Sequence, residues 1–480
     1  MKKITLLSAV LVFASVSAQF TSPNNGTTYT LASLATAAPG SFDKVGSEYV
    51  MKQNVTISAT DKLIADENTV IRVEPERTLY LFGTYLTTAT DLTITATDAD
   101  LAYNGIRVED GATAEFRNTK FEYGGGIRVL GSNFLLDNCV VSKHKAGVST
   151  SSALQFSKGT PIIKNSIFSE NRKAAIGSAA NATVSAWIEN NVFDKNALDN
   201  ANTPQINLGP AGADSTVILN NQIIGDRTKV MVGGISVSAL LGGVNRFRIE
   251  GNFIKDNRYG FTTSGAQSSG IIKNNQFIDN NSQGNGNLGG SGISITSATN
   301  VIIRNNYIKG NLWGITYLSN GSANVGTEND HGNNVFSENN NGGSTYAMAT
   351  STASNVSAIG NCWIENHLAT DEDVENVLQH QPDNASLGLF TFKPYKCALL
   401  ATNEVQKTKI SVFPNPSNGT FNVNTKSQGS YVIFDASGRS VGKGILNSGS
   451  SKISTNLKPG TYLLNVQVEG KNSVEKLIIK

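Results

Sequence analysis

The sequence predicts an all-β chain: a parallel β-solenoid over most of its length, followed by a small Ig-like β-sandwich. Three observations carry this. A short pattern of apolar residues and asparagine returns ten times. The segments around it alternate apolar and polar with period two. Near residue 400 the composition shifts into short strands separated by Gly, Asn, Ser and Pro.

The repeat is apolar-x-Asn-x-x-apolar. It begins at Phe116, Leu136, Ile163, Ile188, Leu219, Ile249, Ile272, Ile303, His331 and Ile359. The first position is apolar in nine of the ten copies, failing at His331, and the third is Asn in nine, failing at Gly251. The asparagines are Asn118, Asn138, Asn165, Asn190, Asn221, Asn274, Asn305, Asn333 and Asn361. The sixth position is apolar throughout, from Phe121 to Ile364. From 116 to 359 is 243 residues over nine steps, a mean of 27, with single steps of 20 to 31. Insertions therefore fall in loops while the strands keep register. A second motif, Gly-apolar-x-apolar, follows most copies, as in GIRV 126–129 and GITY 314–317.

One coil cannot bury its inner face alone, so coils stack, with equivalent positions about 4.8 Å apart. The nine asparagines read as a hydrogen-bonded ladder at a tight corner, where Asn also tolerates left-handed backbone. The dense leucines of a leucine-rich repeat are missing. These residues resemble the right-handed parallel β-helix repeat of pectate lyases and related secreted bacterial proteins, over residues 63–368. The resemblance implies a right-handed parallel β-helix. It does not imply one function, because that family mixes lyases, hydrolases, epimerases, adhesins and non-catalytic surface proteins.

Solenoid ends need covers. YTLASLATA (29–37) reads as a short helix capping the first coil. TDEDVENVLQH (370–380) starts with Thr370 and Asp373 in a capping-box pattern and reads as the C-terminal cap helix. Cys362 and Cys397 flank that cap, and an exported chain favours a disulfide between them. Cys139 reads as a small buried residue.

At the N-terminus, Lys2 and Lys3 precede an apolar run from Ile4 to Val16 and a Val-Ser-Ala cleavage site. This is the pattern of a signal peptide over residues 1–18, too short to span a membrane. The expected organisation is then an N-terminal cap region (19–62), the β-helix with its cap helix (63–398) and a C-terminal module (399–480). In that module Pro414, Asn415, Pro416 and Gly419, then Gly438 and Arg439, then Gly460 and Tyr462, and the terminal KLIIK resemble the type A sorting domain of the Bacteroidetes type IX secretion system. The resemblance implies Sec export to the periplasm and then passage across the outer membrane. It also implies partnership with the secretion machinery and its sortase, and a product that is released or held on the cell surface.

Charge excludes one partner class. Charged residues are 16% of the 480, with a net charge of +2, so no basic stripe for nucleic acid exists. Two readings of the passenger remain: an adhesin-like glycan-binding protein, or a polysaccharide lyase or glycoside hydrolase acting on acidic polysaccharide. On the strand that resembles the lyase cleft, Arg107, Arg128 and Thr316 point outward, with Trp313 and Tyr317 beside them as an aromatic patch for a sugar ring. The eighth repeat position carries Asp226, Asp256 and Asp279 in succession. Stacked carboxylates need compensation, which Ca²⁺ supplies. Lyase chemistry also needs a base, and Lys255 and Arg258 are the nearest candidates. Ca²⁺ is the one cofactor these residues suggest.

Overall fold

The computed structural model describes residues 19–397, apart from 132, 146 and 343, and residues 410–480, apart from 436–438 and 469–470. The expected signal peptide (1–18) and Gly438 lie outside the described residues. Chain contacts separate two compact units, dividing between residues 399 and 400.

In the first unit the chain winds through three sheets in turn, and each strand pairs with its counterpart one coil away. The first sheet has 14 strands, from Phe20–Thr21 to Leu378–Gln379. The second has 14, from Thr28–Thr30 to Phe390–Thr391, and the third has 13, from Phe42–Val45 to Val335–Ser337. Pairing is parallel except where Phe42–Val45 meets Glu48–Met51. The coils thus begin at Phe20, inside the stretch read above as a cap region. Inward residues from all three sheets fill one continuous core, including Phe168, Phe193, Phe277 and Ile308.

The first cover is helix α1 (Leu31–Ala37), started by a Thr30–Ser33 capping box and burying Leu31 and Leu34. Helix α2 (Asp371–Glu375) starts with the Thr370–Asp373 box. It is shorter than the sequence suggests. Leu378, buried against the last coil, instead joins the first sheet beside Met348. A disulfide joins Cys362 to Cys397 across 35 residues. Cys139 is buried, and burial pushes its thiol up to about 12.

The asparagine ladder exists, one residue downstream of where the repeat places it. Asn118, Asn138, Asn165, Asn190, Asn274, Asn305 and Asn333 have φ between 49° and 58°; they make the left-handed corner itself. The residue after the corner is the rung, Thr119, Cys139 and Ser166 in the first three of these coils and asparagine from Asn191 onward. Asn191, Asn221, Asn252, Asn275, Asn306, Asn334 and Asn361 are buried. Each donates its backbone and side-chain amides to the Oδ1 of the next, at 2.9–3.0 Å. Of the nine expected rungs, only Asn221 and Asn361 belong to this buried ladder; Asn138 and Asn118 share a single exposed bond between coils, Asn138 Nδ2 donating to Asn118 Oδ1 at 2.7 Å. The copies at Leu219 and Ile359 are offset by one, because a doubled corner lets the template fit in two registers. There Ile223 and Trp363, not Ile224 and Ile364, are the buried sixth residues. His331 is exposed, in an insertion, and Val325 takes the buried position.

A second ladder runs along the corner after the third sheet: Asn171, Asn196, Asn257, Asn280, Asn311 and Asn339. One coil lacks the asparagine. Gln205 bridges the gap, accepting from Asn196 and donating to Asn257 Oδ1 at 3.0 Å. Outside the second sheet, Arg117, Asp137, Lys164, Glu189, Leu219, Glu250, Lys273 and Arg304 stand in register. Arg117 and Lys164 flank Asp137 at 2.8 and 3.6 Å, and Lys273 lies 3.5 Å from Glu250. Such exposed pairs contribute little stability individually but oppose edge-to-edge aggregation.

The second unit packs an antiparallel three-stranded sheet against an antiparallel four-stranded one. Phe421, Val423 and Ile453 from one meet Ile433, Leu464, Val466 and Leu477 from the other in a single core. Asn415 clamps the terminal strand: its Nδ2 donates to Lys476 O and its Oδ1 accepts from Ile478 N. Peptides before Pro414 and Pro416 are cis. Gly419 takes φ 85°, open to glycine. Gly460 starts the strand on which Tyr462 bonds Lys458 O, and Arg439 pairs with Asp435 at 3.2 Å.

Candidate functional site

Alternation on the first sheet sends Ile127, Val129, Ile293, Ile295 and Ile315 inward, so the residues between them face out. Strand pairing aligns these into one row: Thr56, Tyr80, Arg107, Arg128, Gln155, Gly177, Asn207, Ser236, Thr262, Ser294, Thr316 and Ala349. The row carries hydroxyls, amides, one aromatic ring and two guanidinium groups, and no carboxylate. Tyr80, Gln155, Asn207 and Thr262 escape the sequence motif because TLYL, ALQF, QINL and FTTS differ from GIRV. Only alternation between inward neighbours could have found them.

Long loops entering the first sheet wall this row. Trp313 stacks on Tyr346, with ring centroids 4.8 Å apart, and its Nε1 donates to Gly286 O at 2.9 Å. Tyr346 is an aromatic that the motif does not reach. Thr316 Oγ1 and Ser291 Oγ share a hydrogen bond of 2.9 Å. Tyr317 is not part of the patch. It is fully buried, its hydroxyl 3.5 Å from Met348 Sδ, and burial pushes that hydroxyl pKa up. A residue two after Ile315 on a strand must point the same way as Ile315, inward.

Arg258 braces two of these loops, donating to Asn202 Oδ1 and to Leu288 O. Arg258→Ala is expected to expose residues 279–290 to limited proteolysis while the melting temperature of the solenoid stays unchanged, because the brace lies outside both ladders. Lys255 lies outside the third sheet, 3.8 Å from Asp256. These two residues are engaged in loop bracing and ion pairing.

The three aspartates do not converge. Asp256 and Asp279 share the left-handed corner row, with φ 58° and 52°. Asp226 is one residue out of that row, where Gly225 sits, and its Oδ1 accepts from Thr228 N and Oγ1. These bonds, the side-chain one first, hold its carboxyl below the usual range. Arg227 compensates Asp256 at 3.0 Å and reaches Asp279 O and Asn281 Oδ1. Among the described residues no group of three or more His, Cys, Asp or Glu side chains is placed to hold a metal ion.

Three winding sheets, two asparagine ladders and one in-register outer row define the class: a parallel β-helix followed in sequence by a small β-sandwich. Comparison with known families gives the particulars. Residues 55–223 match the family described as "Right handed beta helix region", and residues 411–480 match "Secretion system C-terminal sorting domain". No curated protein matches the chain. The chain therefore carries a right-handed β-helix and a C-terminal sorting domain of the type IX kind, a combination that supports a secreted or cell-surface β-helix protein. No helix of the described residues is long and apolar enough to cross a membrane.

Proposed function

We propose that the exported β-helix binds extracellular carbohydrate along the outer face of its first sheet, as a glycan-binding, adhesin-like protein. The observation that supports this is the in-register row from Tyr80 to Thr316, walled by the Trp313–Tyr346 pair. Hydroxyl and amide groups at a spacing of about 4.8 Å suit the hydroxyls of successive sugar units, and flat aromatic faces suit pyranose rings. Hydrolysis of glycosides by the common mechanism needs two carboxylates across the bond, and this row has none. Lys255 faces away on another sheet, and Arg258 is held between two loops. In this reading a signal peptide over residues 1–18 delivers a Bacteroidetes protein to the periplasm. The passenger runs from residue 19 to 398, and the domain from 399 onward is the part the sortase handles.

The test is a glycan array with the full exported chain, run beside an ultraviolet assay for unsaturated uronates with and without Ca²⁺. Saturable binding with no absorbance rise is expected. Absence of binding to every glycan, or a rise in absorbance, contradicts the reading.

A further inference from the structure

Two arginines interrupt an otherwise uncharged row. Arg107 and Arg128 are direct partners on adjacent strands, one strand spacing apart. Like charges in that position repel unless something compensates. Arg107 has a partner, Glu109, whose side chain is 14% exposed. Arg128 has none. Among the described residues it makes no hydrogen bond and no ion pair, and its Nε is buried without an acceptor. Its neighbour in register, Gln155, is turned away: the Gln155 Oε1 accepts from Ser149 Oγ and Thr150 N. On the second sheet, by contrast, Arg117, Lys164, Lys273 and Arg304 each have a carboxylate within 4 Å. A buried guanidinium nitrogen without an acceptor is unfavourable in the free protein, and an oxyanion from outside relieves it.

We propose that Arg128, with Arg107 beside it, is an anion subsite for the carboxylate or sulfate group of an acidic glycan. Tyr80, next in register after Arg107, offers its ring to the sugar carrying that group. The planar fork of Arg128 takes two oxygens of one anion, a geometry a lysine ammonium does not reproduce. The proposal rests on the glycan-binding reading and narrows it to acidic chains engaged near the N-terminal third of the row.

Titration calorimetry on the full exported chain tests it with four probes. Polygalacturonate carries carboxylates only, and its methyl ester is the neutral match. Dextran sulfate carries sulfates only, and dextran is the neutral match. At least one acidic probe is expected to bind about tenfold or more tightly than its neutral match. Which one binds identifies the anion. Arg128→Gln is expected to abolish that difference, and Arg128→Lys to retain it in part. Unchanged melting temperatures show that the variants fold. If acidic and neutral probes bind alike, or Arg128→Gln retains the preference, the subsite is overturned while glycan binding stands. If no probe binds and the array is also blank, both fall.

Discussion

Asn306→Ala is expected to destabilise the β-helix by about 3 kcal/mol, whereas Asn305→Gly should change stability by less than about 0.5 kcal/mol. The two asparagines are adjacent and chemically identical. Their environments differ. Asn306 is 1% exposed. Its Nδ2 donates to Ile272 O and to Asn334 Oδ1, both at 2.9 Å. Its Oδ1 accepts from the backbone and side-chain amides of Asn275. Alanine leaves a buried carbonyl and two buried donors without these partners, and the loss falls on three coils at once. Asn305 is exposed, and its contribution is a φ of 54°. Glycine takes that conformation freely, as Gly251 does two coils earlier in the same corner row at φ 68°. Asn305→Val, by contrast, should cost about 1–2 kcal/mol through left-handed strain. Urea melts of the three variants, followed by circular dichroism, give the order directly.

Asp61→Ala is expected to release the N-terminal segment, at a cost on the order of 3 kcal/mol. The Asp61 side chain is buried and gathers the chain that precedes it. Oδ2 accepts from Ser22 Oγ at 2.5 Å and Asn24 N at 2.7 Å. Oδ1 accepts from the amides of Asn25, Gly26 and Thr27 at 2.9–3.0 Å. Burial pushes this carboxyl up, but the bonds from Ser22, Asn24, Thr27 and Asn25 outweigh it and hold the carboxyl below the usual carboxylate range. A depressed folded-state pKa contributes stability that is fully present above the unfolded value and is lost as pH falls through the folded one. The anchor should therefore hold at neutral pH and fail only in acid, below about pH 4. Hydrogen exchange of residues 20–27 at pH 7 and at pH 3 measures it. Asp61→Asn should exchange fast at both, since an uncharged amide cannot serve four or five donors as a carboxylate does.

How much of this was legible in the sequence depends on what each residue's signal records. The fold was legible because burial acts on whole strands, and period-two alternation survives loops of any length. Which of two adjacent asparagines forms the ladder was not, because a corner needs one Asn for its backbone and another for its amide. The same ambiguity let Leu219 stand in for Ile218 in the repeat and shifted Asp226 into a row it does not occupy. Tyr317 was misplaced although alternation from Ile315 fixes its direction. Trp313 is legible as a surface aromatic, but its partner Tyr346 sits in a loop outside the repeat. Arg107 and Arg128 were visible as a pair. That Arg128 lacks a partner was not, since Glu109, two residues after Arg107, turns to Arg107.

Hydrogen–deuterium exchange of the full exported chain, with and without a saturating glycan from the array, tests the central claim most directly. Protection is expected on first-sheet strands, at residues 78–81, 105–108, 127–129, 261–264, 291–296 and 313–318, and not on the opposite second and third sheets. Protection confined to the second or third sheet, or to the sorting domain, would contradict it.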